Sequence, residues 1–107
     1  MTIDDFKKMD LRVGVVSAAD RVPDSEKLIR LEVDLGELGR RQIVAGIAAA
    51  YTAEELVGKQ IVVVVNLEPR RIRGLESQGM LLAAHDADDN PILLISEKEV
   101  PPGSGVS

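Results

Sequence analysis

The segment Leu28 to Leu35 constrains the fold more tightly than any other stretch, because its side chains alternate in character without a break. Ile29, Leu31, Val33 and Leu35 fall on one side, and Arg30, Glu32 and Asp34 on the other. A period of two belongs to a β-strand, here with one buried and one solvated face. Gly36-Glu37-Leu38-Gly39 reads as a turn and Arg40 to Ala45 as the returning strand, so the two form a hairpin. A second constraint is Gln60 to Leu67, QIVVVVNL, apolar at nearly every position. Such a run marks a strand covered on both faces.

The remaining segments are shorter. Thr2 is placed to cap a helix from Asp4 to Met9, with acids in its first turn and Ile3, Phe6 and Met9 as an apolar face. A helix this short must dock, and Phe6 is assigned to the core. Leu11 to Val16 is a strand ending in a bulge or bend at Ser-Ala-Ala-Asp, and Val22 to Lys27 is a loop by its turn residues. Thr52 and Glu55 have capping-box spacing, so one helical turn links the third and fourth strands and stops at Gly58. Gln78 to Ala84 and Ile92 to Ser96 are further strands, separated by an acidic turn from Asp86 to Pro91. Short strands with frequent Gly and Pro punctuation, in one domain of 107 residues, predict an all-β chain closed into a small barrel.

Composition excludes several classes of chemistry. With no cysteine there are no disulfides or thiolates, and His85 is the one imidazole, so neither a metal site nor a cofactor is expected. Ser77 has no histidine near it in sequence, and no nucleophile and base pair is visible, so no catalytic residue is assigned. Asp86, Asp88, Asp89 and Asn90 lack the spacing and terminal Glu of a calcium loop. No stretch is long and apolar enough to span a membrane, and the start MTIDDFKK is unlike a signal peptide, so the expected location is the cytoplasm.

The net charge of −5 argues at first against nucleic acid, but its distribution is uneven. Lys59 to Leu81 carries four basic and two acidic side chains, whereas Asp86 to Ser107 carries one and five. Within the basic stretch, Arg70, Arg71 and Arg73 crowd together behind Pro69 and ahead of Gly74, a segment that reads as a loop between strands. Guanidinium groups held this close repel one another unless an anion is offered to them, most naturally phosphate. A solvated basic turn is the other reading of the cluster. Phe6 and Tyr51 are the only aromatic residues, too few for base stacking to be the main mode of binding.

Four motifs carry a resemblance. They are D-F-x-K-x-D-L-R-V-G at Asp5 to Gly14, S-E-K-L at Ser25 to Leu28, V-A-G-I at Val44 to Ile47, and N-L-x-P-R-R-I-R-G-x-x-S-x-G-M at Asn66 to Met80. Together they resemble the tRNA-binding domain fused to some methionyl- and phenylalanyl-tRNA synthetases and found also as a stand-alone protein. Since the chain begins at Met1, the stand-alone form, akin to a methionyl-tRNA synthetase β subunit, is the expectation. The resemblance implies an OB-fold, a five-stranded barrel with short helices and extra C-terminal strands, that recognises tRNA by shape and backbone. By motif match the tRNA-binding positions are Lys27, Asn66, Arg70, Arg71, Arg73, Ser77 and Met80. It implies a homodimer and a synthetase, methionyl-tRNA synthetase first, as a possible partner, with no catalysis by the chain itself. A branch of the same fold resembles export-related chaperones, so a peptide-binding chaperone is the alternative.

Overall fold

In the computed structural model, which describes residues 1–107, the barrel is built around β1 (Leu11–Arg21), the longest strand. The others are β2 (Ile29–Asp34), β3 (Arg40–Ala45), β4 (Gln60–Val64), β5 (Arg70–Ile72), β6 (Leu75–Ser77), β7 (Met80–Leu81), β8 (Ala83–His85), β9 (Pro91–Leu93) and β10 (Gly105–Val106). Single helical turns α1 (Ile3–Phe6) and α2 (Ala53–Leu56) interrupt them. The main sheet runs β3-β2-β1-β4-β7 and curls into a nearly closed barrel, an OB-like fold.

β1 serves two neighbours in turn. Leu11 to Val15 pair antiparallel with β4, and Val15 to Arg21 pair with β2. A shift of register between Val16 and Ala18 bends the strand so that it can pass from one partner to the other. The bulge expected at Ser-Ala-Ala-Asp is therefore present, but the strand runs on through it to Arg21, because pairing with β2 outweighs the weak strand character of Ala18, Ala19 and Asp20. At Gly14 a Cβ would lie 2.3 Å from Cγ1 of Val33 and 2.8 Å from Cδ2 of Leu35. Only glycine fits where those side chains fill the barrel.

The alternating segment supplies the core as its pattern predicts. Ile29, Leu31, Val33 and Leu35 are all fully buried, joined by Val16, Ile43, Leu56, Ile61, Val63 and Leu81. Each such aliphatic side chain contributes about 1.5–3 kcal/mol by leaving water. Truncating Leu31 to Ala should cost about 2–5 kcal/mol. Tyr51 packs against this core and its hydroxyl accepts a hydrogen bond from the Leu93 amide at 3.0 Å.

Several expectations need correction. The strand expected over Gln60 to Leu67 ends at Val64, with Asn66 and Leu67 exposed, and the one expected over Ile92 to Ser96 runs from Pro91 to Leu93. The N-terminal helix is one turn, Ile3–Phe6, shorter than Asp4 to Met9, because none of its residues is buried and nothing extends it. Its capping box is complete, Thr2 accepting from the Asp5 amide and Asp5 from the Thr2 amide, but Phe6 lies outside the core and Ile3 and Met9 are exposed. The strand expected over Gln78 to Ala84 is broken at Leu82, where the chain leaves β4 for β9. The arginine segment is not an irregular loop but a β-hairpin, β5 with β6.

The expected extra C-terminal strands are present. β8 and β9 form their own hairpin, and the tail returns to β1, where the Val13 amide donates to Ser104 O at 2.8 Å and the Gly103 amide to Val13 O at 2.7 Å. β10 then pairs with Leu11 and Arg12, covering the edge of β1 upstream of β2.

Candidate nucleic-acid interface

The arginine hairpin is built from three cross-strand pairs, Arg70 with Ser77, Arg71 with Glu76 and Ile72 with Leu75. Arg73 and Gly74 close it with φ of 53° and 79°, both left-handed. A two-residue turn with positive φ at both positions matches the twist of the strands, and it normally takes Asn-Gly or Asp-Gly. Gly74 satisfies that demand. Arg73 does not, since left-handed backbone is unfavourable for a long side chain, so what retains an arginine there is not turn stability.

All three arginines are exposed, and none is in an ion pair. Arg71 donates from Nη1 to Gly74 O at 3.2 Å, within its own turn. The tip of the hairpin meets the loop between β1 and β2, where Arg73, Lys27, Ser25, Asp24 and Glu26 line an open cleft of about 420 Å³. Ser25 holds that loop, its Oγ accepting from the amides of Lys27 (3.3 Å) and Leu28 (3.2 Å). The Lys27 carbonyl accepts from the Ala48 amide at 3.0 Å, so the backbone is fixed while the exposed ammonium is left to solvent. Two loops far apart in sequence thus bring Lys27 and Arg73 together as a cationic pair able to hold a phosphate. Asp24 and Glu26 in the same cleft limit its attraction for anions in general.

Of the other positions named by the motif, Ser77 and Met80 lie in the scaffold, and Asn66 is exposed but bonded to it. Ser77 is buried, accepting from the Val44 amide at 3.1 Å and donating to Gly79 O at 2.9 Å, which occupies its hydroxyl. The side-chain carbonyl of Asn66 accepts from the Asp10 amide at 2.9 Å and its Nδ2 donates to Lys8 O at 2.6 Å, tying the N-terminal segment to the start of the arginine hairpin. Met80 is half-buried on β7, opposite Val64 of β4. Lys27 and the arginines therefore form the exposed charge, while Asn66, Ser77 and Met80 shape what carries it. Gln42, which sequence reasoning did not select, donates from Nε2 to Glu76 O at 2.8 Å and so touches the hairpin directly. Nothing in the strand Arg40 to Ala45 signals that bond.

A small β-barrel that presents a basic hairpin beside a loop with an exposed lysine fits a class, the barrel modules that bind nucleic acid through loops on one face. The chain belongs to the family described as "Putative tRNA binding domain", whose pattern matches residues 11–105. It is 59% identical over 103 residues to the methionine–tRNA ligase of Methanothrix thermoacetophila, covering 96% of this chain and 15% of that protein. It is 56% identical over 107 residues to the methionine–tRNA ligase of Thermotoga maritima, covering 100% of this chain and 17% of that one. The chain thus spans a small fraction of these relatives, as one domain of each. A MetRS-related protein from Pyrococcus horikoshii superposes with a TM-score of 0.93 at 42% identity, covering 100% of this chain and 97% of that one. The chaperone CsaA of Bacillus anthracis superposes with a TM-score of 0.92 at 39% identity, covering 100% and 98%.

Proposed function

We propose that the chain is a non-catalytic module that binds folded tRNA through Arg70, Arg71, Arg73 and Lys27, in support of a methionine–tRNA ligase. The observation that carries this reading is that the hairpin arginines are exposed and free of carboxylate partners in a chain of net charge −5. Bonds from guanidinium groups to phosphates fix register and orientation without reading sequence, which suits recognition of a shape shared by many tRNAs. Ser77 takes part by fixing the base of the hairpin, and Asn66 and Met80 by their places in the barrel beside it. The work is cytoplasmic, with translation. Filter binding with total tRNA across a salt series tests the reading: the logarithm of affinity should fall linearly with the logarithm of salt. Absence of saturable binding near physiological salt would refute it.

A second reading rests on the likeness to the chaperone CsaA and on the exposed Ile92, Leu94 and Ile95. An unfolded peptide assayed beside tRNA separates the two, since a chaperone prefers the peptide. Those same residues, with Ile3 and Met9 on the N-terminal segment, give the reason for proposing a homodimer: an exposed apolar edge is most commonly covered by a two-fold copy. Light scattering decides it, a mass near 11.5 kDa meaning that the chain stands alone.

A further inference from the structure

We propose that Gln42 is a positioning residue for tRNA binding, acting through the arginine hairpin; the proposal rests on that hairpin being the tRNA site. β5 and β6 pair only with each other, outside the main sheet. A lone two-stranded hairpin is marginally stable in water, so the direction in which its arginines point depends on what grips it from outside.

The grip comes from β3. No ladder joins β3 to the segment between β6 and β7, and the gap is bridged largely by side chains. The Gln42 amide donates to Gln78 Oε1 at 2.9 Å, and the Gln78 amide returns the bond to Gln42 O at 2.7 Å. Ser77 takes the Val44 amide, and Gln42 Nε2 donates to Glu76 O at 2.8 Å. These bonds differ in reach. Ser77 lies opposite Arg70 at the base of the hairpin, whereas Glu76 lies opposite Arg71, one pair nearer the tip. The carboxamide of Gln42 is thus the outermost of these anchors. Without it the base stays fixed by Ser77, while the strand beside Arg71 and Arg73 keeps only the pairing within the hairpin itself.

The test is Gln42→Met, which keeps the length of the side chain and removes its donor, assayed with total tRNA at a temperature where the folded state is complete. Expected are an affinity weaker by about tenfold, the size of a coupling within one bonded network, and a salt slope lower by about 0.7–0.9, the value of a single phosphate left unneutralised. Hydrogen exchange at the amides of residues 70–77 should quicken. Combining the change with Arg71→Ala should give less than the product of the single effects, because both act at one phosphate. Gln78→Met, which removes the acceptor of the Gln42 amide, should act in the same direction and serves if Gln42→Met does not fold. A merely structural role would lower Tm and leave the salt slope untouched, and that result overturns the proposal. If Arg71→Ala weakens binding and neither glutamine variant does, the proposal alone falls; if the unsubstituted chain binds no tRNA, the functional reading falls and takes the proposal with it.

Discussion

The arginines of the barrel wall and those of the hairpin are the same residue put to opposite uses. Arg12, Arg30 and Arg40 face carboxylates on Asp10, Asp20 and Glu32, and Arg21 and Arg41 donate to the backbone carbonyls of Glu26 and Val65. Arg70 and Arg73 have no such partner, and Arg71 reaches only the carbonyl of Gly74. An anion arriving at the wall must displace a carboxylate or a carbonyl, whereas at Arg70 and Arg73 it displaces water. Net charge misleads for this reason: most of the acid is already matched or lies elsewhere, and local pairing decides which cations are available.

The sharpest way to break the contrast is to replace Arg70, Arg71 and Arg73 together with Ala. If each guanidinium meets a phosphate, the salt slope should fall by about 2–3. Tm should scarcely move, since exposed substitutions usually stay within about 0.5 kcal/mol; unchanged tRNA affinity in a folded variant would remove the hairpin from the site. Next in size, Ser77→Ala leaves the buried Val44 amide without its acceptor and should cost about 1–3 kcal/mol in chemical denaturation. Stability equal to the parent would mean that the base of the hairpin is held some other way.

A smaller and more selective change is Arg73→Asn. Asparagine tolerates left-handed backbone, so the turn should keep or slightly gain stability while the salt slope drops by about 0.7–0.9. A fall in Tm with unchanged binding would reverse the assignment of Arg73. On the wall, Arg30→Met removes the pair with Asp20 and should cost at most about 1 kcal/mol, leaving tRNA affinity as it was. The last effect is one of direction. Asp5, Glu55 and Asp86 are held below their usual pKa, chiefly by backbone amides of Thr2, Thr52 and Asn90 respectively. A carboxyl with a lowered pKa in the folded state adds stability above its unfolded value and loses it as pH falls through the folded one. Tm should therefore decline as pH drops below about 4. A Tm that rises on acidification would contradict these bonds.

Much of the barrel was legible because burial leaves a local trace. The alternation from Ile29 to Leu35 reads correctly from side-chain character alone, whereas the strand expected over Gln60 to Leu67 ends at Val64 and leaves Asn66 and Leu67 exposed. The hairpin was not legible as one, since its turn carries Arg73 where the recognisable signal is Asn or Gly, and Pro69 and Gly74 on either side look like loop punctuation. The motif selects Ser77 and Asn66 as tRNA-binding positions, but the bonds they make within the barrel were not legible. Their partners, Val44 and the Lys8 to Asp10 backbone, are distant in sequence and adjacent only after the barrel closes.

The return of the tail to β1 has a consequence for how such a barrel is carried. Val106 lies directly opposite Leu11, so the chain arrives at the barrel and departs from it side by side on a single edge. A domain of that shape can be appended to a larger protein, or spliced into one of its surface loops, without stretching the host across the barrel. The geometry suits a portable part that asks little of its host.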